Sequence, residues 1–278
     1  MNALDYSIIS VFNRFEGQHP LFDHAVVSLS NDGFLRGGII ASLCWWAWFK
    51  NGEDKDKNKP VREIIITANV ACFVSILFAR LVVLALPFRV RPNSDPTNGL
   101  HFPAATIDWH NWSSFPSDHA IMFFTLTTCL FFISRVLGWI ALLDTVVLVC
   151  LPRICLGIHY PTDILAGAAI GVGIGFLANK KEVKGFVSKG VFQWMEKHPG
   201  WFYALFFLFM YQMMSIFWDI RCVISGGIKT LLKTVEDRPN ISLECIGGLV
   251  VAAIILLVSL VFNYLTKSAK GSRERPHP

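Results

Sequence analysis

Long apolar runs constrain this chain more than any other feature of its sequence. The run from Ile64 to Leu86 is interrupted by one charge, Arg80, and the run from Gly247 to Leu265 is also almost free of polar residues. A run of about 20 apolar residues matches the ~30 Å hydrocarbon core of a bilayer. Because lipid offers the backbone no hydrogen-bonding partner, repeated runs of this kind predict a polytopic, all-α membrane bundle.

The charge content agrees with a lipid environment. Charged residues make up 16% of the chain, whereas a soluble domain has about 25%. The net charge of +5 comes mostly from basic residues between the apolar runs, as membrane topology requires. We therefore expect the chain to lie in the lipid bilayer. We expect it to bind no nucleic acid and to have no obligate protein partner. The seven cysteines show no CxxC pair or metal-ligand spacing, and we interpret them as small buried hydrophobes.

We predict six to seven spanning helices, placed near 33–49, 62–87, 118–134, 138–157, 160–178, 201–219 and 244–265. The polar linker 50–60, Arg135, the basic stretch 180–197 and the tail 267–278 carry lysines or arginines. The positive-inside rule places these segments in the cytoplasm. By alternation, 88–117 and the junction 157–160 lie on the non-cytoplasmic (periplasmic or extracellular) face of the cell (inner) membrane.

Residues 1–32 precede the first predicted span. Ile8, Ile9, Phe12 and Phe15 recur at helical spacing, which indicates an amphipathic helix lying on the membrane surface. Asp5 occupies the place of a basic n-region, so we expect no cleavable signal at this end. The predicted organisation is an interfacial segment (1–32), a core (33–180) and a C-terminal membrane region with two further spans and a polar tail (181–278).

Three polar patches fall on the same predicted membrane face. The first ends in Arg91-Pro92, the second is the stretch 113–119, and the third runs from Arg153 to Asp163. Together they supply arginines, two histidines, serines and aspartates. Arginine presents a planar, permanently charged group suited to phosphate oxygens. The patches therefore predict a phosphate site with its own nucleophile and acid.

Local rules suggest roles for the two histidines. Pro161 suits the first turn of a helix, which places Asp163 in that turn, where its carboxylate could reach back and fix the tautomer of His159. Ser117 is a suitable N-cap for a helix that carries His119 in its first turn, with free N–H groups directed at an anion. A histidine in that position can protonate a leaving group.

The three patches resemble the signature of the phosphatidic acid phosphatase type 2 / vanadium haloperoxidase superfamily. Its motifs read lysine, six residues, Arg-Pro; then Pro-Ser-Gly-His; then Ser-Arg, five residues, histidine, three residues, aspartate. Here Arg91-Pro92 matches the first, 116–119 the second, and Arg153, His159 and Asp163 the third. The resemblance extends over roughly residues 20–180.

The resemblance implies that His159 attacks phosphorus to form a phosphohistidine, that Asp163 orients it, and that His119 protonates the leaving group and later activates water. It also implies that the phosphoryl oxygens are held by Arg91, Arg153, Ser117 and backbone N–H groups near Asp118. Such chemistry depends on positioning and charge stabilisation, so we expect neither a metal ion nor a cofactor.

The chain departs from the signature at three positions. Pro152 replaces the serine of the third motif, and Asp118 replaces the glycine of the second, giving the form FPSDH that is typical of undecaprenyl diphosphate phosphatases. The expected lysine falls at Leu84. Arg80 lies one helical turn away on the same face, and a charge within a span is a functional candidate. We hypothesise that Arg80 replaces the lysine, with Arg89 as the alternative.

These observations predict an integral membrane lipid phosphatase, with undecaprenyl diphosphate as the favoured substrate. Phosphatidic acid, phosphatidylglycerol phosphate and other isoprenoid diphosphates stay open as substrates. A lipid phosphotransferase would use the same residues. A non-catalytic transporter of anionic lipids is the other alternative, although binding alone does not require a nucleophile with an orienting carboxylate.

Overall fold

The computed structural model describes residues 1–15, 18–52, 54–102 and 113–216. Within these ranges the regular secondary structure is entirely helical. The helices are α1 (Ala3–Asn13), α2 (Pro20–Asn31), α3 (Ile39–Phe49), α4 (Lys55–Ala85), α5 (Asp118–Ile133), α6 (Arg135–Asp144), α7 (Leu151–Cys155), α8 (Pro161–Ala178), α9 (Lys181–Lys197) and α10 (Pro199–Met214). A π-helical segment, Phe34–Gly38, leads into α3, and a second, Thr145–Cys150, joins α6 to α7.

The described helices include three that are long and apolar enough to cross a membrane, namely Asp56–Val83, Arg135–Cys155 and Pro161–Ala178. Two shorter apolar helices, Phe34–Phe49 and Asp118–Ile133, accompany them. The prediction of an all-helical membrane protein is thus confirmed for the described ranges. The number of six to seven spans stays a prediction, because 244–265 and the end of 201–219 lie outside the described residues.

Two basic segments expected as cytoplasmic loops are at least partly helical. Asp54 accepts a hydrogen bond from the backbone N–H of Lys57 at 3.1 Å, so α4 begins within the polar linker rather than at its end. The stretch after α8 forms α9, which packs against α4 and buries Ser188. Their cytoplasmic location stays a prediction.

Close packing of α5 against α8 aligns the two helices that carry the polar motifs. Gly167, Gly171 and Gly175 line one face of α8 at four-residue spacing. A Cβ atom added at Gly167 would lie 2.8 Å from the Cβ atom of Ala120, and one added at Gly175 would lie 2.6 Å from that of Thr128. Small residues at this spacing let helix backbones approach closely within a membrane. The N-termini of α5 and α8 are thereby held side by side.

The two N-terminal helices pack on the loop between α7 and α8. Val26 of α2 forms a buried cluster with Cys155, Leu156 and Ile158. In α1 the apolar Ile9 is 1% exposed. Residues 1–32 therefore contribute two short helices with buried contacts, rather than one amphipathic helix, and their position at the membrane surface stays a prediction.

Candidate active site

The first turn of α5 has the geometry expected for its N-terminus. Ser117 is the N-cap residue, with extended backbone angles, and its side chain accepts a hydrogen bond from the backbone N–H of Ala120. Ser117 is fully buried. His119 lies in the first turn, where the helix dipole and the free N–H groups favour a bound anion.

A tight helix end positions the second histidine. The N–H of Ile158 donates to the carbonyl of Arg153 at 2.9 Å, the N–H of Gly157 donates to that of Ile154 at 3.0 Å, and Gly157 has a positive φ of 62°. This is a Schellman motif, whose left-handed residue is normally glycine. His159 follows immediately and is 3% exposed. The end of α7 thus fixes the backbone of the loop that carries His159, and it places this loop next to Arg153.

The hydrogen bond at Nδ1 determines the tautomer of His159. Nδ1 lies 2.8 Å from the backbone carbonyl oxygen of Ser114. Since a carbonyl only accepts, Nδ1 carries the proton and Nε2 retains its lone pair. The carboxylate of Asp163 lies farther from Nδ1, at 3.8 Å. The sequence led us to expect that this carboxylate would fix the tautomer, but the bond is made by Ser114.

The reason is that the carboxylate of Asp163 has other partners. It accepts from the backbone N–H of Tyr160 at 2.8 Å, completing a capping box at the start of α8. It also accepts from the hydroxyl of Ser114 and from the guanidinium of Arg89. Asp163 is therefore linked to His159 through Ser114. The hydroxyl of Ser114 donates to Asp163, and the backbone carbonyl of Ser114 accepts from the imidazole N–H of His159.

The environment of His159 favours the neutral imidazole. Burial is the largest cause that lowers its pKa below the ordinary value, and the positive charge of Arg91 adds to this effect. Asp163 and Asp118 act in the opposite direction. A neutral imidazole with a free Nε2 lone pair is the form of histidine that can act as a nucleophile.

Arg91 and Arg153 place two buried positive charges in this region. Arg91 is 6% exposed and donates to the carbonyl of Ile158 at 2.7 Å. Burial lowers its pKa to about 10, so it is still charged at neutral pH. Arg153 is 3% exposed and donates to the carbonyl of Val149 at 2.9 Å. Buried charges are costly unless they meet an opposite charge, so both guanidinium groups favour a bound anion.

The carboxylate of Asp118 connects His119 to Arg80. One oxygen lies 3.0 Å from Nδ1 of His119 and also accepts from the backbone N–H of His119 at 2.9 Å. The other oxygen accepts from the guanidinium of Arg80. Asp118, which replaces the glycine of the second motif, is thus ion-paired with Arg80, the hypothesised substitute for the lysine of the first motif.

Arg89 lies between two carboxylates. Its guanidinium donates to Asp163, to Asp5 at 2.8 Å and to the hydroxyl of Thr162 at 3.0 Å. It also lies 4.0 Å from the centre of the Tyr160 ring, a cation–π contact. These contacts connect α1, the segment before Arg91 and the start of α8.

Sequence reasoning missed four residues that the structure brings to this site. Ser114 lies in the second patch and Thr162 in the third, but neither has a motif that marks its role. The sequence gives Asp5 no signal other than its position near the N-terminus. Arg36, in the π-helical segment before α3, interacts electrostatically with both Arg153 and His119. Its only signal in the sequence is that it is a charge within the span predicted near 33–49.

The residues that the structure describes contain no group of three or more His, Cys, Asp or Glu side chains that could hold a metal ion. Trp109 and Trp112, which the sequence favours as interfacial anchors over the lining of a lipid entry, lie outside the described residues. The motif residues that the structure describes thus bring buried arginines and two histidines together near the N-termini of the adjacent helices α5 and α8.

Comparison with known proteins supports the resemblance described above. Residues 64–184 match the model of the PAP2 superfamily. Undecaprenyl-diphosphatase BcrC of Bacillus subtilis (strain 168) is 24% identical over 174 residues, which is 63% of this chain and 82% of that protein. Putative undecaprenyl-diphosphatase YbjG of Escherichia coli (strain K12) is 26% identical over 178 residues, 64% of this chain and 82% of the relative.

A shorter alignment has higher identity. The bacitracin transport permease protein BcrC of Bacillus licheniformis is 43% identical over 60 residues, which cover 22% of this chain and 29% of that protein. The chain therefore aligns with less than a third of this relative's length. No solved structure matches the chain. The family match and the names of the relatives support a membrane phosphatase.

Proposed function

We propose that this protein is a lipid (di)phosphate phosphatase that acts through a phosphohistidine at His159. The observation that carries the proposal is the hydrogen bond from Nδ1 of His159 to the carbonyl of Ser114. It leaves the Nε2 lone pair for attack, next to the buried charges of Arg91 and Arg153. Binding an anion alone would not require a histidine held in one tautomer.

In the first step, Nε2 of His159 attacks the terminal phosphorus, and the bond from phosphorus to the lipid-side oxygen breaks. His119 donates a proton to that oxygen, while Arg91 and Arg153 stabilise the negative charge of the transferred group. In the second step, His119 takes a proton from water, whose oxygen attacks phosphorus and displaces His159. The products are inorganic phosphate and a lipid with one phosphate fewer. Water supplies the oxygen that enters the phosphate, and protein residues supply the nucleophile, the acid–base group and the stabilising charges.

The assigned roles of the remaining residues follow from their contacts. Ser117 and the N–H groups of the first turn of α5 hold phosphoryl oxygens. Asp118 orients His119, and Asp163 orients His159 through Ser114. Arg80 takes the place of the motif lysine, because it is held beside His119 through Asp118. Arg89, by contrast, is engaged by Asp163 and Asp5, so we propose that it does not contact phosphate.

We propose undecaprenyl diphosphate as the substrate. Two relatives named undecaprenyl-diphosphatase align over more than four fifths of their length. The further positive charge of Arg36 near Arg153 favours a diphosphate headgroup, which carries more negative charge than a monophosphate.

The test is phosphate release by detergent-purified protein from undecaprenyl diphosphate and from phosphatidic acid, with EDTA present. We expect release that survives EDTA and is lost in His159→Ala. His24→Ala, at an exposed position of α2, is the matched control and should retain activity. Orthovanadate, which mimics the trigonal phosphoryl group, should inhibit. Release that persists in His159→Ala would mean that the nucleophile is another residue.

A transporter of anionic lipids is the second candidate, because the Bacillus licheniformis relative is named a transport permease. A phosphotransferase is a third, since it would share the phosphohistidine. A transporter would bind the lipid and release no phosphate. A phosphotransferase would form the phosphoenzyme but release phosphate only slowly unless a second lipid were added as acceptor.

We further propose that the site faces the non-cytoplasmic side of the cell (inner) membrane. The proposal is supported by the positive-inside rule, which assigns the basic segments to the cytoplasm, and by the alternation of the spans, which assigns the motif loops to the other side. Labelling of Thr97→Cys and Lys59→Cys by a membrane-impermeant maleimide in intact cells tests this arrangement, since both positions are exposed. Only Thr97→Cys should react. Reaction of Lys59→Cys alone would reverse the orientation.

A further inference from the structure

A buried carboxylate in the N-terminal helix reaches the candidate active site. Asp5 lies in the first turn of α1 and is fully buried. It stands outside residues 64–184, which match the family model. A buried carboxylate is costly unless it is paired and hydrogen-bonded. Its partners therefore indicate why the chain retains a charge there.

Both oxygens of Asp5 are directed at the start of α8 and at Arg89. One oxygen accepts from the backbone N–H of Thr162 at 2.9 Å. The other accepts from the hydroxyl of Thr162 at 2.8 Å and from the guanidinium of Arg89 at 2.8 Å. Thr162 immediately precedes Asp163 in the first turn of α8. Asp5 thus supplies from another helix a second carboxylate at the same helix N-terminus, where the dipole favours negative charge.

Arg89 transmits this contact to the catalytic loop. Its guanidinium is shared between Asp5 and Asp163 and stacks on the ring of Tyr160. Asp163 in turn holds the hydroxyl of Ser114, whose carbonyl fixes Nδ1 of His159. A continuous series of hydrogen bonds therefore runs from α1 to the imidazole.

We propose that Asp5 is a positioning residue for the nucleophile: through Arg89 and Thr162 it fixes Asp163, and thereby Ser114 and the tautomer of His159. This inference rests on the proposed phosphatase function. Asp5 also divides the attraction of Arg89 between two carboxylates, so that Arg89 does not fully neutralise Asp163. The N-terminal helix is thus part of the active-site architecture, and its role is more than attachment to the membrane.

Two substitutions separate the charge of Asp5 from its hydrogen bonds. Asp5→Asn keeps the shape and one acceptor oxygen but removes the charge, and Asp5→Ala removes both. Because Asp5 makes no contact with phosphate in this scheme, we expect kcat to fall while KM for the lipid changes little. A loss of about tenfold or more in kcat for Asp5→Asn is the scale of one charge-assisted hydrogen bond. Ser7→Ala, exposed on the same helix, and Asp56→Asn, an exposed carboxylate far along the chain, are the controls.

A double-mutant cycle with Arg89→Gln tests the route. If Asp5 acts through Arg89, the two substitutions together should cost less than the product of their separate effects on kcat. Multiplicative effects would overturn the route. A wild-type kcat in Asp5→Asn would overturn the proposal, whether or not the thermal stability falls. Asp5 would then be a purely structural anchor.

Hydrogen exchange tests the positioning step without reference to activity. In Asp5→Ala the amides of Thr162 and Asp163 should exchange faster than in the wild type, while those of α9 should not change. Should the wild type release no phosphate from any lipid, the proposed function would fail, and the exchange result would still decide whether Asp5 orders the start of α8. Unchanged exchange in this segment would refute that ordering.

Discussion

The two histidines of the site occupy similar places near adjacent helix N-termini, yet their Nδ1 atoms face different partners. In His119 the partner is a carboxylate oxygen of Asp118 at 3.0 Å. In His159 it is the carbonyl oxygen of Ser114 at 2.8 Å, with the carboxylate of Asp163 withdrawn to 3.8 Å. A carboxylate stabilises an imidazolium more than a neutral carbonyl does.

In the proposed mechanism the two histidines also differ in role. A residue that donates a proton and takes one back needs access to its charged form, whereas a nucleophile must be neutral to attack. Each carboxylate is also paired with an arginine, Asp118 with Arg80 and Asp163 with Arg89. The structure therefore contains two similar triads of histidine, carboxylate and arginine, and the position of the carboxylate distinguishes them.

The largest expected effect is a difference between substitutions of the two histidines in the phosphoenzyme that each variant forms. His159→Ala should form no phosphoenzyme. His119→Ala should lose about 10²–10⁴ in turnover, the usual contribution of a general acid–base group, but should still form phosphohistidine, because Nε2 of His159 is intact. Rapid quench with lipid labelled in the terminal phosphate, followed by detection of an acid-labile, alkali-stable protein phosphate, makes the measurement. Phosphoenzyme in His159→Ala, or none in His119→Ala, would contradict the assignment.

The second prediction concerns the triad of His119. Asp118→Asn should reduce kcat by about ten- to a hundredfold, since a hydrogen bond to a charged group contributes about 1.5–3 kcal/mol. Arg80→Ala should reduce kcat/KM more than Arg80→Lys does, because lysine restores the charge that the family motif has at the equivalent place.

Arg89→Ala provides the comparison for Arg80. We expect it to lower kcat with little change in KM, as suits a residue that acts on Asp163. Full activity in Arg80→Ala combined with a raised KM in Arg89→Ala would show that Arg89 holds the phosphate, and the assignments of the two arginines would then have to be exchanged.

Local rules were sufficient to predict one part of the site from sequence. The N-cap at Ser117, His119 in the first turn of α5, and Asp163 in a first turn that begins at Pro161 all appear in the structure as expected. These features depend on residues within a few positions of each other, where the preferences of serine, proline and aspartate at helix starts are strong. The helical class follows equally directly from the apolar runs.

Contacts between distant segments could not be predicted in this way. The bond between Ser114 and His159 spans 45 positions, and that between Asp5 and Thr162 spans 157. The side chain of Asp163 could have bonded His159 by spacing alone, but Tyr160, Ser114 and Arg89 compete for the same carboxylate. The packing of α5 against α8 decides which oxygen accepts the hydrogen bond from the imidazole N–H. No local sequence pattern specifies that packing.

The third prediction concerns the pH dependence of the nucleophile. Burial and Arg91 lower the pKa of His159, so the neutral form should persist, and kcat/KM should hold, to a pH below the ordinary value of about 6.5. Arg91→Gln removes a positive charge that opposes protonation. The pKa of His159 should therefore rise, and the acidic limb of kcat/KM should move to higher pH.

When the wild type and Arg91→Gln are compared on the same substrate, the ionisation of the substrate phosphate affects both pH profiles equally and does not contribute to the difference. Arg135→Gln, which removes an exposed arginine at the start of α6, should leave the limb in place. A limb that moves to lower pH in Arg91→Gln would show that Arg91 does not act on His159 by its charge.

The smallest expected effect concerns substrate choice and the arginine that sequence reasoning overlooked. Arg36 donates to the carbonyl of Ser30 at 3.1 Å and interacts electrostatically with Arg153 and His119. If its charge serves the second phosphate of a diphosphate, Arg36→Gln should lower kcat/KM for undecaprenyl diphosphate by about tenfold, the scale of one charge-assisted hydrogen bond. Hydrolysis of phosphatidic acid should change much less, because a monophosphate has no second group for Arg36 to meet. An equal loss on both lipids would instead place Arg36 with Arg91 and Arg153 on the transferred phosphate, and the preference for a diphosphate would need another source.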